Sequence, residues 1–184
     1  MNDIRRFARH VSDTQPLFRE LRRSGRNDPL ILAILAVENY FRPHTQRLME
    51  YLAWALLSHL NSKRLLRLSV GISQAQLRWW IDAGLMKSGV FSHKNLHTAI
   101  SAQANYDVCG YILSRMSTAH DNPALAVTRW YTGSYAFDYA EFLTVTTEYL
   151  CGVDGALQLW KDMITGVSSC NQDRIFSHKP SHTT

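Results

Sequence analysis

The run Leu30-Ile31-Leu32-Ala33-Ile34-Leu35-Ala36-Val37 constrains this chain more than any other stretch of it. Asp28 precedes the run as a helix cap, and Pro29 suits the first turn, where a missing N–H is harmless. Pro43 disfavours helical geometry in the residue before it, so the helix is predicted to stop near Phe41-Arg42. Eight apolar residues are far fewer than the roughly 20 that a membrane span needs. The run therefore reads as a helix with a buried face, and the charged residue that closes it, Glu38, has to be accounted for.

Helical periodicity continues along the rest of the chain. Ile4, Phe7, Ala8, Val11 and then Leu17, Phe18, Leu21 form two short amphipathic pieces, broken near residues 12–16. A helix is predicted over 45–60, apolar at Leu48, Leu52, Ala55 and Leu56. Ser69-Val70-Gly71-Ile72 reads as a loop or short extended segment, with a small hairpin near 62–73 as an option. Ser73 suits the cap of a helix over 74–83, which Gly84 would end. Further helices are predicted over 95–116, from Ala124 into Tyr131, over 135–150 and over 154–164. No alternating stretch is long enough to demand a sheet. The expected fold is all-α, mostly helical, in one domain.

Composition agrees. A chain of 184 residues has the size of one domain, and 46% hydrophobic with 19% charged residues gives a sizeable core rather than a disordered chain. The net charge of +5 is unevenly placed: residues 1–26 hold seven Arg and three acids, whereas the remainder is close to neutral. The chain divides on this basis into a basic helical leader (1–26), a body (27–165) and a polar tail (166–184). A nucleic-acid patch would have to lie in the leader, and an amphipathic helix packed on the body is the simpler reading of it. Residues 1–26 contain no apolar stretch of signal-peptide length, so no ordinary secretory signal is expected.

Metal and thiol chemistry find little support. Cys109, Cys151 and Cys170 form no CxxC pair, so neither a disulfide framework nor a structural zinc site is expected. His93 and His97 stand four apart, a spacing that suits a shared metal, but no third ligand lies near them in the sequence. Neither a metal nor a cofactor is expected.

Glu38 carries the chemistry. A carboxylate beside a buried face is costly when ionised, so it tends to keep its proton. A carboxyl group that keeps its proton in a cleft is what glycoside cleavage needs, to protonate the leaving oxygen. The bland alternative, a Glu on the polar edge of a helix end, is commoner for a lone residue. The neighbouring segments shift the balance. Glu38-Asn39-Tyr40-Phe41-Arg42-Pro43 resembles the E-S-x-F-x-P pattern of lytic transglycosylases and their goose-type lysozyme relatives, in the lysozyme-like superfamily. Some thirty residues later, Ser69-Val70-Gly71-Ile72-Ser73-Gln74-Ala75 resembles that family's S-x-G-L-M-Q-I. Asn105 to Leu113 and Ala124 to Ser134 echo two further family blocks more weakly. Asn39, Ser73 and Thr132 depart from the residues the family usually has there.

The resemblance implies a lysozyme-like α domain acting on peptidoglycan glycan strands at the MurNAc-GlcNAc β-1,4 bond. Glu38 would be the acid and then the base. Gln74 and the backbone around Gly71 and Ile72 would line the sugar sites, Ser69 would bond near the acid or substrate, and the Tyr131 hydroxyl would orient Glu38. No Asp or Glu lies between Glu50 and Asp82, where a two-carboxylate lysozyme would draw its second acid. The gap favours a single acid, as in transglycosylases, where the sugar's 6-hydroxyl closes a 1,6-anhydro ring without water. A muramidase using a remote Asp82, Asp107 or Asp121 is the hydrolytic alternative. Such an enzyme would act at the cell wall or periplasm, reached through a secretion-system or phage-lysis partner.

Two rivals stand beside this. Ile72 to Leu85 also resembles the helix-turn segment of MerR-like regulators, which predicts Arg78 on a groove-facing helix of a DNA-binding protein. The wall-enzyme reading instead predicts the Ser69–Gln74 segment beside Glu38. The third reading is a lysozyme-like domain that binds glycan without cleaving it.

Overall fold

Asp28 Oδ1 accepts hydrogen bonds from the backbone N–H groups of Leu30 and Ile31, at 2.9 and 3.2 Å, and so starts the helix that the apolar run predicts. The computed structural model describes residues 16–42, 44–60, 64–115, 124, 127–129 and 137–165. In chain order these form α1 (Pro16–Arg23), α2 (Pro29–Phe41), α3 (His44–His59), a 3₁₀ turn (Leu65–Arg67), β1 (Ser69–Val70), β2 (Ala75–Gln76), α4 (Leu77–Asp82), α5 (His93–Ile100), α6 (Ala102–Ser114) and α7 (Phe137–Thr165). The protein is mostly helical, with one small antiparallel hairpin. Among the described residues no helix is long and apolar enough to cross a membrane.

Helix α2 is the axis of the molecule. Every residue from Leu30 to Val37 is at most 4% exposed, because the run is apolar on all sides and needs cover on all sides. That cover comes mainly from α7 and α6, with Phe18 and Leu21 of α1 completing the first core. Burial of each Leu or Ile contributes about 1.5–3 kcal/mol, so this axis is the main apolar anchor. It ends at Phe41, and Arg42 turns extended (φ −123°, ψ 96°), as a residue before proline should. The start of α2 is tied to α6: Arg26 forms a two-pronged ion pair with Asp107 at 3.0 Å, and the Asp28 N–H donates to the Tyr106 hydroxyl at 2.9 Å.

A second core gathers Trp54, Leu65, Val70, Ala75, Leu77, Trp80, Met86, Ala99, Val108 and Ile112. The indole N–H of Trp54 donates to the Gly89 carbonyl at 2.7 Å, and that of Trp80 donates to the Ala75 carbonyl at 3.1 Å. Each tryptophan thus fills the core and pins a loop with its one donor.

Several boundaries and faces differ from the sequence expectation. The small hairpin is present, a few residues later than expected, pairing Ser69 with Gln76 and Val70 with Ala75. Ser73 is therefore in its turn and caps nothing, and α4 begins only at Leu77 after an extended Gln76. The helix expected over 95–116 is two helices. Ser101 is extended (φ −67°, ψ 125°), and its hydroxyl caps α6 by accepting from the Ala104 N–H. Helix α3 presents the opposite face from the one expected: Leu48, Leu52 and Leu56 are exposed, while Trp54 is fully buried and Arg47 nearly so. Arg47, Glu50, Tyr51 and Trp54 recur at helical spacing along the covered side. Polar anchors and one large ring, rather than the leucines, decide how this helix docks. The break expected between the helices over 135–150 and 154–164 is present inside α7, at Gly152 (φ 78°, ψ 163°), where the backbone is not helical.

Candidate active site

Burial sets the state of Glu38. As the last residue of the apolar run it is 5% exposed, and burial pushes its pKa up from 4.5 to about 7. The Tyr139 hydroxyl, on α7, donates to Glu38 Oε1 at 2.8 Å and draws the value back down, as do the charges of Arg42 and Arg47. Glu50 pushes it up again. Desolvation wins, so at neutral pH Glu38 is divided between its acid and its carboxylate. The Tyr139 phenol is itself held well above its ordinary value, first by burial and then by the Glu38 charge, so it stays a donor.

Around Glu38 lies a charged and amide network. Arg42 Nη1 donates to Glu50 Oε1 at 2.6 Å, and Arg47 Nη2 donates to Asn39 Oδ1 at 2.8 Å. Gln74 Nε2 donates both to Glu50 Oε2 at 2.9 Å and to the Gly71 carbonyl at 2.8 Å. With both amide hydrogens committed to acceptors, the orientation of the Gln74 side chain is fixed, and its Oε1 is a buried acceptor without a partner. Ser73 Oγ and Arg47 Nε are likewise buried and unpartnered. Such buried polar atoms without a partner are unusual in a folded protein, and Thr146 Oγ1 on α7 is a further one.

The hairpin turn owes its shape to backbone geometry. Gly71 has φ +80°, and a Cβ there would lie 2.6 Å from Asn105 Oδ1 and 2.7 Å from the Ala99 carbonyl. Gln74 has φ +52°, which makes it the described non-glycine residue in left-handed geometry. Such a conformation costs roughly 1–2 kcal/mol for a residue with a Cβ, and the surrounding bonds must hold it. Asn105 of α6 supplies much of that hold. Its Oδ1 accepts from the Ser73 N–H at 2.8 Å, and its Nδ2 donates to the Ala99 and Ser101 carbonyls at 2.7 Å each.

Of the residues singled out in the sequence, Glu38 is the buried acid, and Gly71 and Gln74 belong to one turn that reaches the Glu38 neighbourhood through Glu50. Ile72 is half-buried and packs against the core around α2, and Ser69 sits opposite Gln76 in the hairpin. Tyr131 lies outside the described residues. Tyr139 is the tyrosine found on Glu38; nothing in its local sequence marks it, since 101 residues separate the two. Arg47 and Glu50 were legible only as one face of α3, and Asn105 only as the first residue of a weak motif.

The remaining candidates lie elsewhere. His93 and His97 are both exposed, and among the described residues no cluster of His, Cys, Asp or Glu is arranged to hold a metal. Cys109 is a buried free thiol. Trp80 is core, whereas Trp79 is half-buried under the Arg78 guanidinium at 4.8 Å. Helix α4, which carries Arg78, has six residues and follows a hairpin rather than a second helix. A surface depression of about 480 Å³ is lined by Arg19, Glu20, Arg23, Ser24 and Gln103. All five are exposed, so it lacks the buried polar atoms that mark the Glu38 neighbourhood. No family model matches this chain, and no match is found among curated proteins or solved structures.

Proposed function

We propose that the protein is a peptidoglycan lytic transglycosylase in which Glu38 is the single catalytic acid. One observation carries the reading: a carboxyl at the end of a buried helix is 5% exposed, its pKa raised by that burial, and it accepts a hydrogen bond from a buried tyrosine. Tyr139 occupies Oε1, which leaves Oε2 to carry the proton toward the glycosidic oxygen. As the bond between MurNAc and GlcNAc breaks, the proton passes to the leaving oxygen and Glu38 becomes a carboxylate. The Tyr139 hydroxyl and the charges of Arg42 and Arg47 favour that carboxylate, so burial opposes ionisation before the step and these groups support it afterwards. The substrate's N-acetyl group assists at the anomeric carbon. Glu38 then takes the proton of the 6-hydroxyl, whose oxygen closes the 1,6-anhydro ring, so the acid is restored without water.

Gln74 supports the same reading. Its bond to Glu50 holds the hairpin turn in the Glu38 neighbourhood, where Gln74 and the backbone around Gly71 and Ile72 would line the glycan. Glu50 is a weak candidate for the water-activating base of a muramidase, since each of its oxygens is already held by a donor.

Incubating the protein with purified peptidoglycan and weighing the released muropeptides tests the proposal. Anhydro-ended products are expected from the wild type and should fall at least about a hundredfold in Glu38→Gln. Reducing ends would make the protein a muramidase instead. No release by folded wild type would overturn both.

A further inference from the structure

Glu50 has no part in the reaction proposed above, yet its side chain is only 13% exposed and both of its oxygens are engaged. It joins the residue that follows α2 to the hairpin turn, through Arg42 on one oxygen and Gln74 on the other. We infer that Glu50 is a positioning residue: it draws Arg42 to itself and ties the hairpin turn to the end of α2. In this way it limits how far Arg42 can draw Glu38 toward its carboxylate, so that burial prevails. The consequence for cleavage rests on reading Glu38 as the acid; the restraint on Arg42 does not.

The charges around Glu38 make the argument specific. From α7 it meets the Tyr139 hydroxyl, and from the end of α2 it feels Arg42. Arg47 and Glu50 act on it from α3, and the hairpin's neutral Gln74 bonds Glu50. Tyr51, also on α3, feels Arg47 and Glu50. Two guanidinium groups would therefore pull Glu38 toward its carboxylate if neither were countered. Glu50 counters the first directly, at 2.6 Å, and its own charge disfavours a second one nearby. Burial is then left as the dominant influence on Glu38.

A carboxyl-carbon NMR titration of Glu38 in the full chain, with no glycan present, tests this. Glu50→Gln keeps an acceptor for Gln74 but removes the charge and loosens Arg42, so the Glu38 midpoint should fall by clearly more than in Gln74→Ala. Arg42→Gln should move it upward. Gln74→Ala, which leaves the Glu50 charge in place, should move it by no more than a few tenths. An unmoved midpoint in folded Glu50→Gln would overturn the inference. So would a Gln74→Ala shift as large as that of Glu50→Gln, because the effect would then be structural relaxation. If Glu50→Gln does not fold, Arg42→Gln/Glu50→Gln compared with Arg42→Gln decides: a lower midpoint in the double variant supports the inference and an equal one overturns it. Because no glycan is involved, a chain that fails to cleave peptidoglycan sinks the proposed function and leaves this result standing. In an active protein the alkaline limb of cleavage should follow the same shifts.

Discussion

At the end of α2 a carboxyl is enclosed by apolar packing and touched by one hydroxyl; in the hairpin, two residues are bent into left-handed geometry and held by amides. The first region obtains its chemistry from desolvation. Its helix is regular, its cap is ordinary, and only the burial of Glu38 is unusual. The second buries Val70 and Ala75 as well, but the shape of its turn depends on the three hydrogen bonds of Asn105 and the two from Gln74. The difference teaches that a site can join two kinds of order. Packing holds a proton on one carboxyl, and directed hydrogen bonds fix a strained turn against Glu50.

The hairpin should break most easily. Gly71→Val combines left-handed strain with contacts under 3 Å against Asn105 and Ala99, so unfolding should cost about 4 kcal/mol less, measured by urea denaturation. Retained stability would mean that the turn can relax without α6. The acid region should behave in the opposite sense. Between about pH 4.5 and 7 the unfolded chain releases the Glu38 proton while the folded chain keeps it, so stability falls as pH rises through that window and then levels. Integrated, the penalty is about 3 kcal/mol. Glu38→Gln should therefore be more stable than wild type by about that amount at pH 8 and similar at pH 4. Parallel pH curves for the two proteins would show that Glu38 is not held as described.

Smaller changes sharpen the contrast. Asn105→Asp keeps the acceptor for Ser73 but loses both donations to carbonyls, which should cost about 2 kcal/mol in thermal or urea unfolding. Tyr139→Phe should cost only about 1 kcal/mol, yet it should raise the Glu38 midpoint above about 7, since the lost hydrogen bond favoured the carboxylate. A lowered midpoint would assign Tyr139 the wrong role.

The two regions were unequally legible in the sequence. The caps, the apolar run and the proline that ends it locate α2 and the burial of Glu38, because each signal is local. The turn was visible as Ser69 to Gln74, but its pairing was not: the ladder depends on Ala75 and Gln76 reaching back to Val70 and Ser69, which local helix propensity masked. Helix α3 misled for a related reason. Its leucines suggested the covered face, and the ion pair of Glu50 with Arg42 and the Trp54 bond to Gly89 turned it the other way. Tyr139 was invisible because a partner 101 residues away leaves no periodic trace.

That separation gives the site an order in time. Glu50 and Gln74 lie 24 residues apart and meet across a short loop, whereas the Glu38 acid waits for α7. Loop closure grows costlier with length, and a chain is made from its N-terminus, so the distant hydroxyl arrives last. An emerging chain would then hold its turn and its charge pair before its acid is oriented, and only docking of the final helix would arm it.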